Sequence, residues 1–383
     1  MKIMFIGDGL LDTDKYPNVN KGASVQTWGI SRELAKRGHE VSILRRSPVD
    51  GMKTVENVKL FSIKFTGQVI DSTPFISHLA QIISSLYFSL KAVKLIEKNS
   101  PDCLCLMNRN SAFFPSSVKI PKVYIMHSPD ALDFFKTYSV SANKLNGALF
   151  YFKKIVENHV IENSVCVIAL NRYIENFLSS NKKTRVERIP NGISAENFSS
   201  NGDENFIIYA GRFDWNKNPI SLVNAFSEIA CSHPNHQLYL VGSGQQEATI
   251  RAIIKEKNLE SRVRIYPWLP RTELLEKISR CSVFVLPSSF EAANPNVVLE
   301  AMASSKPVIA RANIGTTDII SHGKNGFLYH NQEELERCLE LLLNDDDLRK
   351  AIGNNARKAI ECHYNFPLLA QKYESVLYNL CIG

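Results

Sequence analysis

The sequence predicts an α/β protein built from two doubly wound parallel sheets. Its 383 residues are too many for one ordinary core and fit two domains of about 180 residues each. Both halves open alike, with an apolar run that ends in glycine, a polar loop and an amphipathic helix: KIMFIGDG at 2–9 and NFIIYAGR at 205–212. Apolar strands that alternate with helices indicate parallel sheets joined by right-handed crossovers.

Further strand-like runs follow in the first half: EVSILR, DCLCLM, KVYIMH and VCVIAL. The first helix is predicted from about Ser24 to Arg37, because Lys36 and Arg37 fall in its last turn and Gly38 suits the position after it. The apolar stretch at 75–96 contains a histidine, a glutamine and two lysines, so it is predicted as a largely buried helix and not as a membrane span.

The second half continues with the strand-like runs QLYLVGSG, RVRIYPW, SVFVLPS and PVIAR. The boundary between the halves is predicted within VERIPNGISAENF, where a strand-like run meets Pro190 and an Asn-Gly turn. The predicted domains are residues 1–187 and 188–364. Residues 365–383 are predicted to form a C-terminal helix. It is expected to pack back on the N-terminal domain because of its apolar stripe at 368, 369, 373, 376, 377 and 380.

Charge is unevenly distributed along the chain. Residues 1–190 contain 26 Lys and Arg against 16 Asp and Glu, whereas residues 191–383 contain 19 against 22. A basic N-terminal half suits an anionic partner such as a lipid phosphate, a membrane surface or an acidic glycan, and an ordinary solvated surface rich in lysine is the alternative. No compact basic cluster interleaved with aromatic residues occurs, which disfavours nucleic acid.

The N-terminus and the cysteines indicate a cytoplasmic protein. MKIMFIGDGL is too short for the apolar core of a secretory signal and is typical of a first strand. Of the eight cysteines only Cys103 and Cys105 are close, and they are predicted as small core side chains and not as metal or redox groups. Asp12-Thr13-Asp14 matches a metal-binding D-x-D pattern, but so short a match is common by chance, and no metal is expected.

Arg212 and Lys217 follow the glycine that ends the first strand of the second half. There a loop and a helix N-terminus supply backbone N–H groups and a dipole that favours anions. A diphosphate gains negative charge as its bond to a sugar breaks, so fixed cations stabilise that step most. The two residues are therefore predicted to hold a diphosphate, the alternative being an ordinary surface arginine and lysine.

Glu291 and Glu300 lie on either side of a strand-to-helix turn in the segment 287–310. Ionised carboxylates accept strong hydrogen bonds from sugar or ribose hydroxyls. Glu300 opens the predicted helix EAMASS, so its alternative role is to stabilise the helix dipole. Asn296 and Val297, at the entrance of that helix, are candidates to offer backbone N–H groups to a phosphate.

The first half holds two further candidates, His127 and Gly22. His127 ends the run KVYIMH, so it is expected at the carboxyl edge of the sheet, where ligands of such sheets bind. A lone histidine can equally be structural. Gly7, Gly9 and Gly22 frame a long loop after the first strand, but that loop lacks the third glycine of the dinucleotide fingerprint, which makes a nicotinamide-dependent dehydrogenase a poor fit.

Several longer motifs occur in order within residues 189–328: IPNGI, YAGRFDWNK, LVGSG, VFVLPSSFE, VLEAMASSKPVIA and HGKNGFL. KGAS, LAKRGHEV and MHSPD mark the first half more loosely. Through these motifs the chain resembles the retaining glycosyltransferases of family 4, also called group 1. The resemblance implies the GT-B fold, in which two Rossmann-like domains face a central cleft. The nucleotide sugar is bound mainly by the second domain and the acceptor by the first, with retention of anomeric configuration and no metal or cofactor.

The resemblance also assigns roles to single residues of the second half. Arg212 and Lys217 match the pair that holds the donor diphosphate. Glu291 matches the acidic residue that faces the donor sugar, and Glu300 the one that binds the ribose. The predicted catalytic set is His127, Glu291, Arg212 and Lys217, and the predicted donor-binding set is Gly22, Arg212, Lys217, Glu291, Asn296, Val297 and Glu300.

In the first half the same resemblance places His127 near the donor sugar and Gly22 in a glycine loop near the phosphates. The chain departs from the family in the spacing of its two glutamates, which is nine positions here and commonly eight. Counting back from Glu300 puts Ala292 in the first glutamate's place. Other positions at which the family commonly has a different residue are Ala23, Asn218, Ala293, Ser305 and Asp318.

The sequence thus predicts a metal-independent retaining glycosyltransferase whose acceptor is a glycan or a lipid-linked intermediate of surface polysaccharide or glycolipid assembly. Peripheral contact with the anionic inner face of a membrane is a further expectation, from the basic N-terminal half. Two alternatives stay open. One is another GT-B enzyme, such as a sugar-nucleotide epimerase or a phosphorylase, although no pyridoxal-binding lysine can be identified for the latter. The other is a non-catalytic nucleotide-sugar-binding partner of a transferase, prompted by the altered glutamate loop.

Overall fold

The computed structural model describes residues 1–7, 22–47, 49–64, 74–127, 144–180 and 184–382. These residues form two compact α/β units. The described residues up to Pro190 and those from Leu369 onward make the N-terminal unit, and Asn191–Leu368 make the C-terminal unit.

The N-terminal unit is built on an eight-stranded sheet with the strand order β3-β4-β2-β1-β5-β6-β7-β8. All neighbouring strands are parallel except β3 and β4. Its elements are β1 (Lys2–Ile6), α1 (Gly22–Lys36), β2 (Glu40–Ser47), β3 (Gly51–Val55), β4 (Val58–Lys64), α2 (Pro74–Asn99), β5 (Cys103–Leu106), α3 (Arg109–Ala112), β6 (Lys122–Met126), α4 (Lys144–Glu162), β7 (Cys166–Ala169), α5 (Arg172–Ser179) and β8 (Arg185–Arg188).

An antiparallel hairpin at the edge of this sheet contradicts the expectation of wholly parallel strands. Strands β3 and β4 are joined by Glu56 and Asn57, whose φ angles are +46° and +64°. Two consecutive left-handed residues make a tight turn whose twist matches that of the paired strands. The sequence did not reveal the hairpin, because neither central residue is glycine.

The C-terminal unit contains a wholly parallel sheet of six strands in the order β11-β10-β9-β12-β13-β14. Within this sheet β9 is the first strand in the chain. The strands β10 and β11 are then added on one side of β9, and β12, β13 and β14 on the other side. Its elements are β9 (Phe206–Ala210), α6 (Pro219–Ile229), β10 (Gln237–Val241), α7 (Glu247–Glu256), β11 (Val263–Tyr266), α8 (Arg271–Arg280), β12 (Val283–Leu286), α9 (Asn296–Ala303), β13 (Val308–Arg311), β14 (Phe327–Tyr329), α10 (Gln332–Asn344) and α11 (Asp346–Ala359).

The central strands of the C-terminal unit are buried along their whole length. Every residue of β9 and β12 is buried, which explains why both appear in the sequence as continuous apolar runs with no alternation. The carboxyl ends of β9 and β12 flank the point where the strand order reverses. Ligands of doubly wound sheets bind at this point.

The last helix, α12 (Phe366–Ile382), belongs to the N-terminal unit from Leu369 onward. Its buried apolar stripe consists of Leu369, Tyr373, Val376, Leu377 and Leu380. Glu374 on the same helix accepts a hydrogen bond from Arg37 Nε (2.8 Å) and lies 2.7 Å from Nε2 of His39. The Arg37 guanidinium is the main cause of the lowered pKa of Glu374. These contacts tie α12 to the segment that follows α1.

None of the helices formed by the described residues has the length and apolar content needed to cross a membrane. Cys103 and Cys105 lie in β5 as buried free thiols, and burial raises the pKa of both. They therefore pack as core side chains of the N-terminal sheet.

Candidate functional site

Lys217 and Glu291 meet at the point where the C-terminal sheet reverses its strand order. Lys217 lies in the loop after β9, and Glu291 lies in the loop after the neighbouring strand β12. Lys217 Nζ is 2.5 Å from Glu291 Oε1, and the two side chains are 20% and 12% exposed. Two predicted ligand-binding residues that are 74 positions apart in the sequence thus form one ion pair.

The loop after β9 is fixed by its own side chains. The hydroxyl of buried Tyr209 donates to the carbonyl of Arg212 over 2.7 Å. A Cβ added at Gly211 would lie 2.6 Å from that hydroxyl, which explains the glycine before the arginine. Asp214 Oδ1 accepts from the backbone N–H of Lys217 (2.9 Å), and its Oδ2 lies 3.3 Å from Arg212 Nη2. The Arg212 side chain is 65% exposed and is therefore accessible to an anion.

The loop after β12 is held from two sides. The backbone N–H of Ser289 donates to the carbonyl of Asn216 over 2.8 Å, which joins this loop to the one after β9. On the other side, a Cβ added at Gly315 would lie 2.6 Å from the Cβ of Glu291. The packing orients the carboxylate of Glu291 toward Lys217. Ala292, which takes the glutamate's place when the family spacing is counted back from Glu300, carries no polar side chain.

Glu300 does not open a helix, and the alternative of a carboxylate that stabilises the helix dipole is wrong. Helix α9 begins at Asn296, so Glu300 lies beyond its first turn. The carboxylate is buried, with its side chain 2% exposed, and pairs with Arg271 Nη1 at 2.5 Å. Burial raises the pKa of Glu300, and the Arg271 guanidinium opposes that effect.

Asn296 and Val297 are the first two residues of α9. Pro295 precedes them and provides no side-chain cap. The first N–H groups of a helix have no acceptor within the helix and point out of its N-terminus. The structure therefore places both residues where backbone donors can face an anion.

The two candidates of the first half lie in the N-terminal unit. His127 directly follows β6, and burial lowers its pKa to about 4. The imidazole is therefore neutral at physiological pH, when it can both donate and accept a hydrogen bond. Gly22 is the first residue of α1. Gly9 and the D-x-D residues Asp12, Thr13 and Asp14 lie outside the described residues.

The sequence did not identify Arg271, Asp214 or Gly315. Arg271 follows β11 at the start of α8, and a cation at the carboxyl edge of a parallel sheet is a signal that could have found it. Asp214 stands inside the motif that holds Arg212 and Lys217. Gly315 gave no usable signal, since its role depends on a close approach that only the fold creates. Across the residues that the structure describes, no three His, Cys, Asp or Glu side chains are grouped to hold a metal ion.

Comparison with protein families identifies the class that this fold and site define. Residues 190–359 match the model described as glycosyl transferases group 1, and residues 20–197 match glycosyltransferase family 4. Together the two matches extend over most of the chain. The chain belongs to the group 1, family 4 glycosyltransferases.

Individual relatives agree with this assignment. An uncharacterized glycosyltransferase of Methanocaldococcus jannaschii is 29% identical over 249 residues. The matched region covers 64% of this chain and 65% of the relative, so the chain spans just under two thirds of the relative's length. The capsular polysaccharide biosynthesis glycosyltransferase CapM of Staphylococcus aureus is 22% identical over 378 residues, 91% of this chain and 95% of CapM.

Solved structures confirm the predicted fold class, GT-B. Sucrose-phosphate synthase from Thermosynechococcus elongatus superimposes with a TM-score of 0.81 at 21% identity, over 99% of this chain and 98% of that one. Anabaena HepE, solved in complex with UDP and glucose, superimposes with a TM-score of 0.73 at 18% identity, over 99% of this chain and 100% of that one.

Proposed function

We propose that this protein is a retaining glycosyltransferase that transfers a sugar from a nucleoside-diphosphate sugar to a glycan or lipid-linked acceptor. The observation that carries the proposal is the Lys217–Glu291 pair at the switch point between β9 and β12, with the exposed Arg212 in the same loop as Lys217. The name of CapM supports a place in surface polysaccharide or glycolipid assembly, and the UDP and glucose held by HepE support the donor class.

The donor is held by groups of the C-terminal unit that differ in charge. Arg212 and Lys217 bind the diphosphate as cations, assisted by the N–H groups at the start of α9. Glu300 accepts hydrogen bonds from the ribose hydroxyls. Its pairing with Arg271 opposes the rise in pKa that burial causes and so favours the ionised carboxylate, which is the stronger acceptor.

Transfer breaks the bond between the anomeric carbon and the phosphate oxygen, and the bonding electrons leave with the diphosphate. Arg212 and Lys217 stabilise that added charge. The acceptor hydroxyl forms the new bond on the face from which the diphosphate departs, and its proton passes to the departing phosphate oxygen. Glu291 stabilises the positive charge that develops on the sugar, and neutral His127 supplies a hydrogen bond to a sugar hydroxyl. The charge stabilisation comes from these side chains and from the backbone N–H groups at the start of α9, and the reaction is proposed to need no metal or cofactor.

Slow hydrolysis of the donor in the absence of acceptor tests the proposal. The purified protein is incubated with UDP-, GDP- and ADP-sugars in EDTA, and release of nucleoside diphosphate is measured. We expect release from one donor and a loss of about 10²–10³ in rate for Arg212→Ala. Arg251→Ala is the matched control, since Arg251 is a similarly exposed arginine whose carboxylate partner, Glu247, lies one helical turn away on the same helix.

The other outcomes separate the alternatives. Rearrangement of the donor sugar without release of diphosphate would identify an epimerase. Binding of one nucleotide with no turnover under any acceptor would identify a non-catalytic partner. Full activity in Arg212→Ala would refute the role of this residue in departure of the diphosphate.

A further inference from the structure

The loop after β12 receives a hydrogen bond from the segment that leads into the C-terminal unit. This loop, residues 287–295, joins β12 to α9 and carries Glu291. Asn191 is the first residue of the C-terminal unit, and we call residues 190–195 the first linker. The side-chain Nδ2 of Asn191 donates to the carbonyl of Asn294 over 3.0 Å. The first linker is therefore bonded directly to the loop that holds the predicted catalytic carboxylate.

The surroundings of Asn191 show that this hydrogen bond fixes its side chain. Asn191 is 8% exposed, and no described residue donates to its Oδ1. An unpaired buried amide atom lowers stability, so a side chain that only filled space here would be better apolar. Asn294 is 3% exposed, and its own Nδ2 lies 3.5 Å from the carbonyl of Gly315. Gly315 is also the residue at which an added Cβ would meet Glu291, so Asn294 and Glu291 are held against the same glycine.

A second hydrogen bond comes from the segment by which the chain leaves the C-terminal unit. We call residues 364–368 the second linker, because the N-terminal unit resumes at Leu369. The hydroxyl of buried Tyr364 donates to the carbonyl of Asp318 over 2.8 Å. Asp318 belongs to the segment between β13 and β14, which also contains Gly315. The second linker is thus bonded to the segment against which Glu291 packs.

The segment between β13 and β14 contacts the loop after β12 at two points. Asn313 Nδ2 donates to the carbonyl of Ser288 over 2.9 Å. Asn313 Oδ1 accepts from the backbone N–H of Gly315 over 3.0 Å, and Gly315 in turn packs on Glu291. A displacement of this segment is therefore passed to the loop after β12 over a few residues.

The two linkers are also bonded to each other. The backbone N–H of Ile193 donates to the carbonyl of Tyr364 over 2.8 Å, and the carbonyl of Ile193 accepts from Phe366 over 3.1 Å. These bonds form a short parallel bridge between Ile193 and Asn365. Asn365 Oδ1 also accepts from the backbone N–H of Ala195 over 3.2 Å. The linkers and the loop after β12 therefore belong to one hydrogen-bonded network within the C-terminal unit.

We propose that Asn191 and Tyr364 are positioning residues that hold the loop after β12, and with it Glu291, to the two linkers. Asn191 acts through Asn294, and Tyr364 acts through Asp318. Because both residues belong to the linkers, the orientation of Glu291 depends on the conformation of the linkers through a continuous chain of contacts. The inference rests on the proposed function for the role of Glu291, but the attachment of the loop is measurable without any reaction.

Hydrogen–deuterium exchange of the full chain tests the attachment. Asn191→Ala removes the donor to the loop, so we expect the amides of residues 287–297 to exchange about fivefold faster, which is the effect of one hydrogen bond on a local opening equilibrium. Tyr364→Phe should accelerate exchange in residues 312–320 and in residues 287–297. Exchange at the wild-type rate in residues 287–297 of both variants would overturn the proposal.

Donor hydrolysis measures the consequence for catalysis. Each variant is expected to lower turnover about tenfold or more, because a small displacement of Glu291 is costly. Affinity for nucleoside diphosphate should not fall, since Arg212 and Lys217 lie in the loop after β9 and are unchanged. Faster exchange together with wild-type turnover would mean that the linkers do not position Glu291. If the wild type itself hydrolyses no donor, the proposed function fails, and the exchange rates still decide whether the linkers hold the loop.

Two control variants separate positioning from a general loss of stability. Asn331→Ala removes the side chain that accepts from the backbone N–H of Glu334 at the start of α10, and it should lower Tm by about 2–4 °C. Tyr239→Phe removes a hydroxyl that donates to Gln237 Oε1 over 3.1 Å in β10. Both controls should keep wild-type turnover and wild-type exchange in residues 287–297. If turnover in the controls fell as it does in the linker variants at an equal loss of Tm, stability would explain the effect and the proposal would be wrong.

Discussion

Lys217 and Glu291 bind each other, with 2.5 Å between Nζ and Oε1, although the sequence assigns one to a phosphate and the other to a sugar. Both side chains are largely buried, so each depends on the other for charge compensation. A diphosphate that binds Lys217 therefore competes with Glu291 and releases its carboxylate. In the proposed reaction this exchange couples arrival of the phosphate to presentation of Glu291 to the sugar.

Glu291→Gln separates the two proposed roles of Glu291, which are to pair with Lys217 before the diphosphate binds and to stabilise positive charge on the sugar during transfer. Removing the negative charge leaves Lys217 without a competing anion, so we expect nucleoside diphosphate to bind as tightly as in the wild type or more tightly. Turnover should fall about 10²-fold, because the developing positive charge on the sugar loses its counter-charge. Calorimetric titration with nucleoside diphosphate, together with the hydrolysis rate, measures both effects. Glu247→Gln, at an exposed ion pair, is the control, and weaker nucleotide binding in Glu291→Gln would contradict the exchange.

Arg271→Ala should make nucleotide binding depend on pH. Without the guanidinium, burial raises the pKa of Glu300 further, and a protonated carboxyl is a poorer acceptor for ribose hydroxyls. We expect affinity for nucleoside diphosphate to fall as pH is lowered from 8 toward 5, at a higher midpoint than in the wild type. Arg271→Lys, which keeps a cation, should shift the midpoint less. A loss of affinity that is the same at every pH would assign Arg271 a direct contact and not the positioning of Glu300.

The raised pKa of Glu300 also predicts how the stability of the wild-type protein varies with pH. The folded-state pKa of Glu300 lies above its ordinary value of 4.5, so the unfolded chain loses this proton first. Stability contributed by the protonated group is therefore lost as pH rises above 4.5. Removing one partner of a buried pair costs about 3 kcal/mol at neutral pH. Urea unfolding of Arg271→Ala should show this loss at pH 7 and a smaller one at pH 5.

Much of the architecture can be predicted from the sequence, since strands buried on both faces are continuous apolar runs, as β9 and β12 show. The positions of Lys217 and Glu291 in the fold can also be predicted from the sequence, because the order of the motifs places each residue directly after a strand. The pairing of Arg271 with Glu300 could not be predicted, since it depends on how α8 packs beside α9 and leaves no trace in either motif. The position of Glu300 within α9 was mistaken because the helix begins four residues earlier, after Pro295, where the sequence suggested a loop.

Gly315→Ala should impair activity while the fold persists. A Cβ at this position would lie 2.6 Å from the Cβ of Glu291, closer than real Cβ atoms approach, so the loop after β12 must shift. Catalytic geometry tolerates little displacement, and about a 10²-fold loss of turnover is expected. Gly51→Ala is the matched control, because a Cβ there meets no atom within 4 Å. Wild-type turnover in Gly315→Ala would show that the close approach does not position Glu291.

Ser305→Gly should stabilise the protein. Ser305 follows the C-terminus of α9 with φ of +56°, and the N–H groups of Ser305 and Lys306 donate to the carbonyls of Met302 and Ala301. This is the helix-ending motif in which glycine is preferred, because a side chain strains the left-handed backbone. Relief of that strain exceeds the entropy cost of glycine in the unfolded chain, for a net gain of about 1 kcal/mol. Ser305→Ala keeps the strain, so in denaturant unfolding it should not be more stable than the wild type. Equal stabilisation by alanine and glycine would mean that loss of the hydroxyl, and not the backbone conformation, is responsible.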